Sequence, residues 1–143
     1  MSNMDANSLV DLLEQRGIRP SAQRVAIASY VLLTGEHPAA DAVWRNVRER
    51  FPMCSRATVY NTLNLFVEKE LLREVSLAPG RVVYDPDTEP HHHFVDEGSG
   101  KIEDLPWESL RVDRVEELAD FEIRELSVTL RGRRRGAPDP VET

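Results

Sequence analysis

The run Ser55-Arg56-Ala57-Thr58-Val59-Tyr60-Asn61-Thr62-Leu63-Asn64-Leu65-Phe66 constrains this chain more than any other stretch. Ser55 is a good acceptor for the exposed N–H groups at a helix start, and the spacing predicts a helix to Phe66 that buries Val59, Leu63 and Phe66 on one stripe. The opposite face is not the Glu/Lys mixture of a merely solvated helix. Arg56, Thr58, Tyr60, Asn61 and Asn64 carry hydrogen-bonding side chains, the kind that meets base edges and phosphates in a major groove.

The flanking sequence supplies the rest of a DNA-binding domain. Ala40 to Arg50 reads as a helix with Val43, Trp44 and Val47 apolar, ended by Phe51-Pro52 and followed after a short turn by the Ser55 helix, the order of a helix-turn-helix. Two helices precede it. Ser8 to Arg16 places Leu9, Leu12 and Leu13 on one stripe and stops at Gly17; Pro20-Ser21 opens a second, with Val25, Ile27, Ala28, Val31 and Leu32 spaced to Gly35. Leu71 to Val75 and Arg81 to Tyr84 are β-prone runs joined across Pro79-Gly80, and helices followed by such a hairpin make a winged helix. Arg19, Gln23 and Arg24, at the first turn of the second helix, are placed for phosphate contacts, with Arg73 or Arg81 on the wing.

Residues 1–84 are therefore expected to form the winged-helix domain and residues 85–90, with two prolines and three acids, a linker. In the second domain, residues 91–131, His91 to Val95 and Lys101 to Leu105 read as strands separated by Gly98-Ser99-Gly100. Val112 to Ala119 reads as a short helix, and Glu122 to Arg131 as a last strand of undetermined register. Residues 132–143 hold a basic run and two prolines and are expected to be a disordered tail. The fold class is α+β.

Charge is unevenly shared. The net charge is −7, yet residues 1–84 carry ten Lys and Arg against nine Asp and Glu, a net of +1, while residues 85–143 carry eight against sixteen, a net of −8. A near-neutral first half can present an arginine face to DNA, and an acidic second half suits cations. No run of about 18 apolar residues and no secretory leader is present, so the expectation is a soluble, cytoplasmic protein with no membrane association. Cys54 is the only cysteine. An intrachain disulfide and a site of four thiolates are both excluded, and any metal must use nitrogen and oxygen.

The histidines supply the nitrogen. On a strand, His91 and His93 share a face and His92 takes the other. Asp85 precedes the cluster, Glu103 and Asp104 follow it on the neighbouring expected strand, and His37 lies in the first domain. Imidazoles with one or two carboxylates suit Fe²⁺, Mn²⁺ or Zn²⁺ and suit Mg²⁺ or Cu⁺ poorly. An ion shared by such a set would fix the orientation of the two halves. A solvated histidine loop without an ion, a small metalloenzyme, and a metal-independent adaptor that binds protein are the rival readings. Catalysis is disfavoured, because no oxyanion donors, no separate general base and little chain for a substrate pocket are present, so the chain is read as no enzyme.

RPSAQR at 19–24, GEHPAADAVW at 35–44, SRATVYNTLNLF at 55–66, VVYDPD at 82–87, HHHF at 91–94 and GKIEDL at 100–105 together resemble the ferric uptake regulator (Fur) family, and within it the peroxide-stress repressors, over roughly residues 15–130. The resemblance implies an N-terminal winged helix, a C-terminal α/β dimerisation domain, a homodimer on palindromic double-stranded operator DNA, and a regulatory metal held by His37, Asp85, His91, His93 and Asp104. It implies DNA contacts from Arg56, Thr58 and Tyr60, beside the Ser55 and Asn61 of the same helix. Fe(II) or Mn(II) is the implied ion, with Zn(II) able to take its place in vitro. In this family an Asp at the position of Asp104 accompanies peroxide sensing more often, a Glu iron sensing; peroxide sensing by oxidation of His37 or His91 is implied, and iron- or haem-responsive regulation is the alternative. The chain departs from the family pattern at the structural zinc: Asp96 and Ser99 stand where the first cysteine pair would fall and the second pair has no counterpart. No structural zinc is expected, and the second domain is expected to rely on apolar packing.

Overall fold

Hydroxyl and carboxylate caps set three of the four helix starts. The Asp5 carboxylate accepts from Ser8 N–H at 2.8 Å, Ser21 Oγ from Arg24 N–H at 3.2 Å, and Ser55 Oγ from Thr58 N–H at 3.1 Å. They open α1 (Ala6–Gln15), α2 (Ala22–Leu33) and α4 (Arg56–Glu68); α3 (Ala40–Val47) follows Ala39 without a side-chain cap. The computed structural model describes residues 5–136.

Two helix ends differ from expectation. Helix α3 stops at Val47 rather than Arg50, because Glu49 N–H and Arg50 N–H turn back to the carbonyls of Asn46 and Val47, three residues behind, and tighten the chain ahead of Pro52. Helix α4 ends on Glu70 in the left-handed region (φ 61°), with Glu70 N–H on the Val67 carbonyl at 3.0 Å and Leu71 N–H on that of Phe66 at 2.8 Å. The chain reverses there, so Leu71 and Leu72 pack into the helical core instead of joining the expected strand.

The wing is β1 (Arg73–Ala78) and β2 (Arg81–Asp85), antiparallel with Val75 opposite Val83, closed by Pro79-Gly80 with Gly80 at φ 77°. Asp85 is thus the last residue of β2 and not the first of a linker. Leu9, Leu13, Ile27, Val31, Val43, Val59, Leu63 and Phe66 form the centre of this unit's core. Truncating Phe66 to Ala there would cost about 3–5 kcal/mol.

The chain divides between Thr88 and Glu89. The second unit is a sheet of β3 (His91–Asp96) flanked by antiparallel β4 (Ile102–Pro106) and parallel β5 (Thr129–Gly132). The helix expected over Val112–Ala119 is absent. Arg114 adopts φ 72°, only Val115–Glu117 makes a 3₁₀ turn, and Leu118 stays exposed; a helix that short does not persist without a packed face. The expected last strand shrinks to four residues, since β5 has only His93–Asp96 to pair with. Order also runs past the expected start of the tail: Gly132 pairs with Asp96, and Arg134 forms an ion pair with Glu103. Residues 137–143 of that tail lie outside the described residues.

Among the described residues, Val95 is the one fully buried apolar side chain of this unit, and its other buried side chains are His91, His92 and His93. Apolar packing alone therefore does not account for its interior; imidazoles do much of the filling. No helix among the described residues is long and apolar enough to cross a membrane.

Candidate metal centre and DNA-reading face

Donors gather separately in each unit. In the first, Tyr84 N–H donates to the Pro38 carbonyl at 3.0 Å, which fastens the segment after α2 to the end of β2. His37 Nε2 then lies 3.2 Å from Asp85 Oδ2, both side chains buried. Asp85 Oδ1 accepts from Asp87 N–H at 2.9 Å, so the carboxylate is aimed by backbone on one oxygen and faces imidazole with the other.

In the second unit the pleat of β3 does the gathering. His91 and His93 lie on one face with ring centroids 4.6 Å apart, and the antiparallel register sets Asp104 directly across from His93. Asp104 Oδ1 is 3.4 Å from His91 Nε2 and 3.6 Å from His93 Nε2. His91 Nδ1 sits 2.7 Å from the Glu89 carbonyl, which can only accept. Nδ1 therefore carries a proton, and a neutral His91 turns the lone pair of Nε2 toward a carboxylate oxygen. Two acceptors at that distance repel unless a positive charge lies between them.

The remaining candidates of the cluster are occupied otherwise. His92, on the other face, accepts Val128 N–H on Nδ1 at 2.9 Å and stacks on Trp107 with centroids 4.8 Å apart. Glu103, which the register places opposite Phe94 rather than beside the imidazoles, is the partner of Arg134. Asp96 and Ser99 are bonded to each other, Ser99 Oγ–H donating to Asp96 Oδ2 at 3.1 Å while Gly98 N–H donates to Oδ1 at 2.9 Å. The Gly98 bond leads in holding the Asp96 carboxyl below its ordinary pKa.

On α4 the outward residues stand as the sequence spaces them. Arg56, Tyr60 and Asn61 are exposed, and Thr58 Oγ1 shares a 3.0 Å hydrogen bond with the exposed capping hydroxyl of Ser55. Arg19 is exposed and Gln23 half-buried, while Arg24 donates Nη1–H to the Arg19 carbonyl at 2.8 Å, so it is partly spent on local structure. Sequence reasoning treated Trp44 only as apolar. Its Nε1–H donates to the Cys54 carbonyl at 3.0 Å, and the guanidiniums of Arg48 and Arg56 lie 4.4 Å and 4.5 Å from its ring. The Trp44/Arg48 spacing of four residues was the available signal for half of that contact.

A winged helix-turn-helix, followed by a sheet that turns imidazole nitrogens and a carboxylate to one side, defines a metal-dependent transcription regulator. Residues 15–131 match the model of the ferric uptake regulator family, and the chain belongs to that family. It is 34% identical over 119 residues to a peroxide operon regulator of Bacillus subtilis, covering 83% of this chain and 81% of that one. Among solved structures it resembles a zinc-bound manganese uptake regulator (TM-score 0.65, 25% identity, 88% of this chain and 98% of that one). It also resembles the peroxide stress regulator of Campylobacter jejuni (TM-score 0.62, 25% identity, 94% and 97%).

Proposed function

We propose that this chain is a cytoplasmic, homodimeric repressor that holds a palindromic operator while Fe(II) or Mn(II) is bound and releases it when peroxide damages the metal site. The observation that carries the reading is the donor set. His91 Nε2, His93 Nε2 and Asp104 Oδ1 converge within one unit, and His37 Nε2 meets Asp85 Oδ2 in the other. Imidazole nitrogen with carboxylate oxygen fits Fe²⁺ or Mn²⁺, and Zn²⁺ in vitro. The thiol is no rival: Cys54 is buried in the helical core, and desolvation raises its pKa. With Asp96 and Ser99 bonded to each other where a cysteine pair would stand, no structural zinc is assigned.

His37, Asp85, His91, His93 and Asp104 would hold the ion together and so fix how the winged helix is presented. If the closed arrangement binds the ion about 100-fold more tightly than the open one, the coupling is roughly 2.7 kcal/mol, enough to govern DNA affinity. Arg19, Gln23 and Arg24 would meet phosphates, and Ser55, Arg56, Thr58, Tyr60 and Asn61 the groove. Fe(II), when bound, would supply the redox chemistry that activates H₂O₂ beside its histidine ligands. One oxygen of H₂O₂ would add to a ring carbon of His37 or His91 while the other leaves as water, a two-electron oxidation after which the ring nitrogens carry protons and no longer offer a lone pair to the ion, and no cysteine is needed. No substrate turnover is assigned to the site.

Identity to a peroxide regulator, together with Asp rather than Glu at position 104, favours this reading over iron- or haem-responsive control. The test is an anaerobic titration of operator binding with Fe²⁺, Mn²⁺ and Zn²⁺, followed by H₂O₂ and mass spectrometry. Metal-dependent binding that peroxide abolishes in the Fe²⁺ form alone, with oxygen added at His37 or His91, is expected. Binding indifferent to chelators, or peroxide release with every histidine unmodified, would remove the reading.

A further inference from the structure

We propose that Trp44 is a specificity-determining positioning residue: it holds the Arg56 guanidinium over its indole ring so that N–H groups are presented to a guanine in the major groove. This rests on α4 being the DNA-reading helix. Arg56 is the first residue of α4, where a recognition helix meets base edges, and its side chain is 61% exposed. Its Cζ lies 4.5 Å from the centroid of the Trp44 ring, and its Nε lies 3.9 Å from Asp41 Oδ1. Asp41 and Trp44 are three residues apart on α3, hence on one face of it.

The platform is itself fixed. Trp44 is half-buried, packs against the helical core and donates Nε1–H to the Cys54 carbonyl one residue before the Ser55 cap. A guanidinium stacks by its face and hydrogen-bonds by its edge, so resting on indole leaves the paired N–H groups for the O6 and N7 of guanine. An arginine already held over a ring also loses less side-chain freedom on binding than one that samples solvent. Arg48, 4.4 Å from the same ring and exposed, adds positive charge alongside, which suits a neighbouring phosphate rather than a base.

The experiment uses the full-length, Mn²⁺-loaded protein and a duplex it enriches from a randomised pool, with a mixed-sequence duplex as control. Arg56→Ala should weaken the selected duplex more than about tenfold and abolish preference at one guanine, and Arg56→Lys should do the same despite keeping its charge. Trp44→Leu should cost about five- to tenfold on the selected duplex, under about twofold on the control, and nothing further when Arg56 is already Ala. Trp44→Phe, which keeps a ring face but not the bond to Cys54, should stay within about twofold of wild type. A Trp44→Leu penalty that persists undiminished in the Arg56→Ala background, or that strikes both duplexes alike, would overturn the proposal, as would loss of binding in Trp44→Phe. Should Trp44→Leu fail to fold, Trp44→Met takes its place in the wild-type and Arg56→Ala backgrounds, with the same outcomes deciding. A wild-type protein that enriches no sequence defeats the DNA reading as well; enrichment that Arg56→Ala leaves intact defeats this proposal alone.

Discussion

His91 is steered by its own neighbour: the Glu89 carbonyl, 2.7 Å from Nδ1, fixes which ring nitrogen holds the proton and leaves Nε2 facing Asp104. Such partners of a ligating histidine set both its tautomer and its ring orientation. His91→Ala should therefore weaken Mn²⁺ binding by more than the roughly 10–100-fold that losing an outer-shell partner costs. Calorimetric titration checks this, and an affinity within about threefold of wild type would take His91 out of the site.

His92 should behave oppositely although it sits between two proposed ligands. Its Nδ1 accepts Val128 N–H, and His93 N–H donates to the Val128 carbonyl at 3.0 Å, so this residue pair fastens the approach to β5 onto β3. His92→Ala leaves a backbone N–H without its acceptor, a loss of about 1–3 kcal/mol before lost stacking on Trp107 is counted. Urea unfolding should shift to lower denaturant, while the number of Mn²⁺ ions bound at saturation stays the same. A fall in stoichiometry would instead make His92 a ligand.

Cys54 is held by the helical core, and burial pushes its thiol pKa up, so at neutral pH almost none of it is the thiolate that peroxide attacks. Cys54→Ala should retain the full peroxide response of operator binding. The measurement is the H₂O₂ concentration that releases half the DNA; a rise of more than about threefold in the variant would place sensing on sulfur.

Much of this architecture was legible because local chemistry and final packing agree. Ser21 and Ser55 cap the helices they open, Gly17 ends α1 at φ 72°, and the period-two pattern of β3 puts His91 with His93. Expectation failed where a segment lacked a surface to pack on. Val112 to Ala119 has helical spacing, but Val112 and Leu118 remain exposed and Arg114 breaks the run. Within the site, the family resemblance named Asp104, whereas the residues alone left it level with Glu103, because the two differ only in β-sheet register, which adjacent acidic residues cannot declare. The Glu89 carbonyl and the Trp44 platform were invisible for a related reason: one is a backbone atom, and the other acts through a partner twelve residues away across a turn.

Glu70 shows the same principle in a position that can be improved. It closes α4 at φ 61°, a conformation that glycine adopts freely and that costs an L side chain about 1–2 kcal/mol, while Arg16 Nη1–H donates to its carbonyl at 3.0 Å. Glycine would keep both backbone bonds of the cap and the Arg16 contact, losing part of the gain to the greater entropy of its unfolded chain. Glu70→Gly should stabilise the winged-helix unit by about 1 kcal/mol, a rise of roughly 4–8 °C for a unit of this size. Far-UV circular dichroism of the metal-free protein follows it, since α1 to α4 all belong to that unit. Glu70→Ala, which removes the same carboxylate but keeps the strained backbone, should show no such rise; an equal gain in both variants would trace the effect to charge rather than to conformation.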